Sequence, residues 1–432
     1  MSHRSNKPAV RRVALLGVGA LFATALAVPV ATAGARPAAD GCAAVDAEIY
    51  RPPASVTAAP GTVLACRPVD ALPMVGDGVP FTAWKVQYAS TDGRGRAVAV
   101  AGTVVVPRAA WTGSGERPLV AFAPGTLGIG PQCAFSKQLA GEYQDAYEGG
   151  NIAALLRAGY AVAATDGAGY LDGQVHPYVS GADAGHALLD IARAASKVPG
   201  SGLSARARVG LWGYSEGGAG SLWAAQLARS YAPGLHVAGV ASGGVPGDLK
   251  VVAKSLNGGA FAGFLLDAVI GMATTNPEMP FEELLDDEGR TAVRDAKKLC
   301  LVGTLARFAG GRTENYTTDR LTLDQIFALR GPDGRTWGQI VDGNTLGAGV
   351  GPAGSGARYE IPFPVLQYRG LLDEVIPAET EEATRRAYCA ARIPTQWNTY
   401  PGDHLLGDFQ AVDDVVKWLG DRFAGKPMPG NC

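Results

Sequence analysis

Short apolar runs alternate with amphipathic stretches along most of this chain. Strand-like alternation begins at Phe81–Tyr88, and after a turn at Asp92-Gly93 the β-branched run Val98–Val106 closes at Pro107, a hairpin signal. PLVAFA (118–123) reads as a short buried strand, followed at once by the glycine loop Pro124–Gly128. Asn151–Ala158 reads as a helix closed by Gly159, and YAVAA (160–164) as the next strand. Asp183–Ser196 carries apolar residues at Ala187, Leu188, Ile191 and Ala194, the spacing of an amphipathic helix. A strand, a tight turn and a helix follow over 207–230, then the strand Val237–Ala241. There the rhythm breaks. Residues 245–350 hold helical pieces such as Ala260–Met272, Phe281–Lys298 and Leu323–Leu329, without a convincing strand. It resumes with the strand Pro364–Tyr368, the helix Ala378–Ala391, the strand Thr395–Tyr400 and a closing helix Phe409–Phe423.

Alternating β and α units predict an α/β fold with a mostly parallel central sheet and helices on both faces. The core is expected to be residues 81–244 and 351–432. Residues 245–350 are then an insertion, read as a helical cap or lid before the strand Pro364–Tyr368. Residues 34–80, rich in Pro, Ala and Gly, read as an extended N-terminal arm stapled by two nearby cysteines.

Composition adds a compartment. Arg4, Lys7, Arg11 and Arg12 precede the apolar run Val13–Val28, and Ala31-Thr32-Ala33 is a small-residue cleavage site, so residues 1–33 read as a secretory signal peptide. The run is too short for a membrane anchor and ends at Pro29. Arg11-Arg12 leaves the general secretory and twin-arginine routes both open. Removing the signal takes away four positive charges and no acids, which moves the net charge from −2 to −6. No basic patch remains to suit nucleic acid as a partner. The six cysteines all lie in the exported part, an even count that favours three disulfides. They lack C-x-x-C pairs, so no metal site is expected.

The chemistry centres on Val209–Gly220 (VGLWGYSEGGAG), where apolar residues lead into Gly213-Tyr214-Ser215-Glu216-Gly217 and then a helical run. That is the strand–turn–helix setting a G-x-S-x-G nucleophile elbow requires. An activated serine needs a base. His3 lies in the signal, His176 and His186 precede the serine, and His236 opens a strand at the edge away from the carboxyl ends. His404, within Gly402-Asp403-His404 in the loop after Thr395–Tyr400, remains. The acid that orients it is expected at Asp373, just past Pro364–Tyr368. Glu374 is its rival, Asp403 is badly placed, and Asp166 reads as a helix or loop cap. The oxyanion is expected to take the backbone amides of Glu216 and Thr126. A free Glu216 carboxylate beside the nucleophile would oppose that oxyanion, so it should cap the helix or pair with a base. Two other motifs carry less. Gly349-Val350-Gly351-Pro352-Ala353-Gly354 spells G-x-G-x-x-G without a strand before it, so no dinucleotide cofactor is expected. Asn315-Tyr316-Thr317 is a glycosylation sequon, informative only in a host that glycosylates.

GTVVVP (102–107), PGT…C (124–133), ATDGAGY with HPY downstream (164–178), GYSEGG (213–218), GLLDEVIP (370–377) and GDH (402–404) together resemble the secreted lipases related to lipase A of Candida antarctica. The resemblance runs from about Phe81 to the C-terminus. It implies an α/β-hydrolase fold, a cap inserted before the acid-bearing strand, and the triad Ser215, Asp373, His404. It also implies disulfides Cys133–Cys300 and Cys389–Cys432, leaving Cys42 with Cys66. Pro124-Gly125 stands where many bacterial relatives carry histidine-glycine.

The expected function is that of a secreted serine ester hydrolase, a triacylglycerol lipase working through an acyl-enzyme on Ser215, with no cofactor. Its partner is an acyl ester or lipid, with transient contact to a lipid interface through the cap; the oligomeric state is left open. Ala260–Met272 could line an acyl tunnel or pack as an ordinary helix on the main domain. The alternatives are a carboxylesterase or aminopeptidase-like acyl hydrolase on the same fold, and a non-catalytic secreted binding protein.

Overall fold

The computed structural model describes residues 41–432 apart from positions 77 and 429; the expected signal, residues 1–33, lies outside the described residues. Among the described residues, nine strands form the main sheet: β1 (Val63–Val69), β2 (Phe81–Thr91), β3 (Ala97–Pro107), β4 (Leu119–Ala123), β5 (Ala161–Gly167), β6 (Arg208–Tyr214), β7 (His236–Gly243), β8 (Val365–Gly370) and β9 (Thr395–Tyr400). Their order across the sheet is β1-β2-β3-β5-β4-β6-β7-β8-β9. β1, β2, β3 and β5 pair antiparallel, and from β5 onward every pairing is parallel.

Helices cover both faces: α1 (Gly149–Arg157), α2 (Gly181–Ala195), α3 (Glu216–Tyr231), then α4 (Leu249–Leu256), α5 (Ala262–Thr275), α6 (Asp287–Ala296), α7 (Leu301–Phe308), α8 (Leu323–Ala328) and α9 (Trp337–Asp342), and finally α10 (Ala378–Ala390) and α11 (His404–Phe423). β4 shows why the core strands read as unbroken apolar runs. Leu119, Ala121 and Ala123 point into one layer with Leu188 and Ile191 of α2 and Leu222 of α3. Val120 and Phe122 point into the other, with Ile152 and Leu155 of α1 and Val415 and Leu419 of α11. A strand with both faces dry has no polar position to alternate with.

The chain leaves β4 for β5 on one side and leaves β6 for β7 on the other, although β4 and β6 are neighbours. Connections that diverge from adjacent parallel strands open a crevice at their carboxyl ends, which is where α/β proteins place their sites. Helices α4–α9 all fall between β7 and β8 and lie outside the sheet.

Three expectations need correction. Residues 34–80 are more than an extended arm. They include the short helix Asp46–Tyr50 and β1, which lies antiparallel on β2. The Cys-Arg-Pro interruption hid this strand in the sequence, and Pro68 is tolerated because β1 is an edge. The stretch Phe281–Lys298 is not one helix. It breaks at Leu285, and Asp286 caps the second piece by accepting the Gly289 amide at 2.7 Å. The closing helix starts at His404, not Phe409, with the Asp403 carboxylate accepting the Leu406 amide at 2.8 Å.

Disulfides join Cys42 to Cys66, Cys133 to Cys300 and Cys389 to Cys432. The second ties the loop after β4 to the start of α7.

Candidate active site

Ser215 sits between β6 and α3 with φ 55° and ψ −119°, a left-handed conformation that a serine adopts only when its surroundings force it. The glycines of the motif explain how. A Cβ on Gly213 would run into the Gly217 carbonyl, and one on Gly217 would run into the Ala123 carbonyl of β4. The turn is therefore tight enough to lift the Ser215 hydroxyl clear of the sheet. The Ser215 amide is held by the Gly243 carbonyl at 2.9 Å.

His404 Nε2 lies 3.0 Å from Ser215 Oγ, and its Nδ1 lies 2.8 Å from Asp373 Oδ2. Asp373 comes from the turn after β8, and its other oxygen accepts the amides of Val375 at 3.0 Å and Ile376 at 2.8 Å. Burial alone would raise the Asp373 carboxyl. The hydrogen bond and charge of His404, with the Ile376 and Val375 amides, outweigh it and hold the group below its ordinary value. An ionised Asp373 fixes the proton of His404 on Nδ1 and leaves Nε2 to accept from Ser215. Glu374, the rival acid, holds the backbone instead, its Oε2 accepting the His404 amide at 3.1 Å. The Tyr214 hydroxyl donates to the His404 carbonyl at 2.5 Å, which fastens the elbow to the helix that carries the histidine.

The glycine loop after β4 is pinned from every side. Both oxygens of the buried Glu148 accept the Gly125 amide, at 3.0 and 2.9 Å. The Leu127 carbonyl accepts from Leu301 at 3.0 Å, and the Gly128 carbonyl from the Tyr170 hydroxyl at 2.6 Å. Thr126 Oγ1 lies 2.8 Å from the Tyr178 hydroxyl. Among the described residues, the amides of Thr126 and Glu216 take no acceptor. Glu148 therefore fixes the loop that Pro124-Gly125 left unexplained.

Sequence reasoning missed His176. Its Nε2 lies 2.5 Å from Glu216 Oε1 and its Nδ1 lies 2.7 Å from the Ala168 carbonyl. Tyr170 stacks on the ring at 4.5 Å. With Glu216 as a carboxylate, both nitrogens of a protonated ring have an acceptor. Burial pushes this imidazole down, but the charge and hydrogen bond of Glu216 and the Ala168 carbonyl together raise it above its ordinary value. Glu216 thus faces a cation, not the serine. The available signal is the HPY stretch (176–178), whose histidine lies before the serine and so reads as unsuited to act as its base. Beyond the pair, Asp267 of α5 is fully buried and its carboxyl is raised well above normal, first by burial and then by the Glu216 charge.

From Ser215 an apolar cavity runs beside helices α4, α5, α8 and α9, lined by Val252, Leu265, Val269, Ile326, Trp337 and Ile376 among others. Helix α5 contributes to this cavity and also packs against the sheet domain. Leu265 and Val269 face the cavity, while Gly271 packs on the Tyr178 backbone.

A strained serine joined to a histidine and a buried acid at the carboxyl ends of a mostly parallel sheet places this protein among the α/β-hydrolases. The sequence matches the secretory lipase family model over residues 137–431. It is 28% identical over 393 residues to a probable inactive lipase of Mycobacterium tuberculosis, covering 89% of this chain and 83% of that one. It is also 28% identical over 396 residues to the secreted triacylglycerol lipase LIP7 of Malassezia globosa, covering 89% and 80%. In three dimensions it is similar to Candida antarctica lipase A in its closed state, with a TM-score of 0.74 and 24% identity, covering 88% of this chain and 86% of the other. The chain belongs to the secretory lipase family, and is an ester hydrolase by that membership.

Proposed function

We propose that the protein hydrolyses acyl esters, triacylglycerols among them, through an acyl-enzyme on Ser215. One relative is a probable inactive lipase, so membership alone does not carry the mechanism. The observation that carries it is the continuous relay Ser215–His404–Asp373 at 3.0 and 2.8 Å. In this reading Ser215 Oγ attacks the ester carbonyl as His404 Nε2 takes its proton, and Asp373 steadies the imidazolium. The carbonyl electrons move to the oxygen, which the Thr126 and Glu216 amides receive. When the C–O bond breaks, His404 gives its proton to the departing alcohol. Water, deprotonated by the same nitrogen, then attacks the acyl carbon; the C–Oγ bond breaks, His404 returns the proton to Ser215, and the fatty acid leaves.

The acyl chain occupies the apolar cavity beside Ser215. The cap meets lipid on its inner side, because Leu265 and Val269 of α5 face that cavity. Similarity to a secreted triacylglycerol lipase supports a neutral glyceride substrate. Export follows from residues 1–33 as a secretory signal, and the three disulfides fit an oxidising compartment.

Ser215→Ala is the test. It should abolish hydrolysis of p-nitrophenyl butyrate and emulsified tributyrin, and labelling by a fluorophosphonate probe. Retained turnover in this variant would remove the mechanism.

A further inference from the structure

Five of the eight large apolar side chains that stand exposed among the described residues belong to two short segments. Leu371 and Leu372 follow β8, and Leu405, Leu406 and Phe409 lie in the first turns of α11. They are 43% to 70% exposed. One exposed leucine means nothing, but a cluster of this kind marks a contact surface. The two segments are a single surface. The Leu371 amide donates to the Tyr400 carbonyl at 2.7 Å and the Leu372 amide to the Gly402 carbonyl at 2.9 Å, while Gly402 packs on Leu406.

This surface borders the relay directly, because the same segments carry Asp373 and His404. Three residues past Leu372 the loop turns inward, and Val375 and Ile376 line the cavity that begins at Ser215. On the other flank Phe409 meets Tyr147 edge to face at 6.4 Å, and the Tyr147 hydroxyl lies against Gly125 of the glycine loop. Apolar side chains therefore lead from the outer leucines, past the relay, into the cavity. In residues 245–350, by contrast, the large apolar side chain that stands exposed is Val302 alone among the described residues.

Charge selects the occupant. Residues 370–379 and 400–414 contain no Lys or Arg, and their charged side chains are all Asp or Glu. A surface of that composition gains nothing from anionic headgroups, whereas an uncharged oil surface accepts the leucines without penalty. We propose that the rim formed by Leu371, Leu372, Leu405, Leu406 and Phe409 is where the protein sits on an uncharged acyl-ester interface, so that the outer contact is made by the relay-bearing segments and not by the cap. This rests on the ester-hydrolase reading above.

The test separates docking from turnover. Exported protein carrying Ser215→Ala is mixed with triolein droplets, and the bound fraction is measured with and without Leu371→Gln, Leu372→Gln and Leu406→Gln together. The triple substitution should lower partitioning about tenfold or more, since three leucines lose their burial in oil. Val302→Gln in the cap should change it less than about twofold. With Ser215 intact, the triple variant should cleave soluble p-nitrophenyl acetate at the parent rate and triolein poorly, with an unchanged thermal transition. Equal partitioning of parent and triple variant would overturn the proposal. So would tighter binding to phosphatidylglycerol vesicles than to triolein, or a dimer in sedimentation that the three substitutions dissolve. Because the droplets are offered to the Ser215→Ala protein, a failure of the catalytic reading leaves the partition result standing.

Discussion

Glu216→Gln and Glu216→Ala ask what the ion pair beside the nucleophile contributes. The Glu216 and His176 side chains are 11% and 7% exposed, so solvent screens them little. Breaking a pair so deeply buried costs about 3–5 kcal/mol, because the surviving charge is stranded. Glu216→Ala should lose that much in urea unfolding. Glu216→Gln also removes the counter-charge but keeps an acceptor for the Nε2–H of a neutral His176, so no polar group is left unpaired and it should cost less, about 1–3 kcal/mol. Activity should follow the amide next to the serine. With its side chain unanchored, the first turn of α3 loosens, and kcat on a soluble ester should drop about tenfold or more in the alanine variant while KM stays near its parent value.

The pH dependence is the sharper readout. His176 is raised above its ordinary 6.5, so its contribution to stability is complete below 6.5 and is lost as pH rises through the raised value. Unfolding free energy measured in that window should decline with pH in the parent protein and flatten in Glu216→Gln, where the imidazole lacks its counter-charge. An alanine variant with parental stability, or a glutamine variant with the parental slope, would show that the pair is not the buried salt bridge described here.

Other outcomes follow from the same geometry. Asp373→Asn should lower kcat about ten-thousand-fold by reversing the hydrogen-bonding sense at His404 Nδ1, with little change in KM, as read with p-nitrophenyl butyrate. Val269→Trp should fill the cavity by about three methylenes, which at ~0.8 kcal/mol each is about 50-fold against p-nitrophenyl palmitate relative to the butyrate; equal losses on both would place the acyl chain elsewhere. Removing the Cys133–Cys300 disulfide as a double serine variant should cost about 2–5 kcal/mol in urea unfolding, given the 167 residues it spans.

The sheet core was legible because strands such as β4 have both faces buried, and a run of apolar residues bounded by Pro118 and Pro124 admits few other readings. Ser215, Asp373 and His404 could be singled out because each follows a strand in an order the fold tolerates, and the structure brings these three within hydrogen-bond distance. His176 and Glu216 are 40 residues apart, and nothing local links them. Their meeting depends on residues 167–180 folding over the elbow, with the His176 amide bound to the Ile129 carbonyl at 3.0 Å. The start of α11 was hidden for another reason. Leu405 and Leu406 face solvent, so the amphipathic pattern begins one turn later than the helix does. These two leucines, which hide the start of the helix, also belong to the apolar rim.

Buried acid is abundant around a site that must hold an oxyanion. Glu148, Glu216, Asp267, Asp373 and Asp408 all lie close to the relay or its loop, and their combined charge would oppose the tetrahedral intermediate. The structure removes most of it by burial. Glu148 and Asp267 are pushed well above the ordinary carboxylate range, and Asp408 to about 6, despite hydrogen bonds from Asn151 and Tyr368. Asp373 is held below its ordinary value by His404 and two amides, and on the proposed mechanism it is the acid whose charge is used. Glu216 has its charge matched by His176. Carboxyls in this pocket thus differ by their partners: the one facing His404 is held low, the one facing His176 is paired, and Glu148 and Asp267, which face no cation, are raised well above the ordinary range. Asp408 is the member whose charge changes near pH 6.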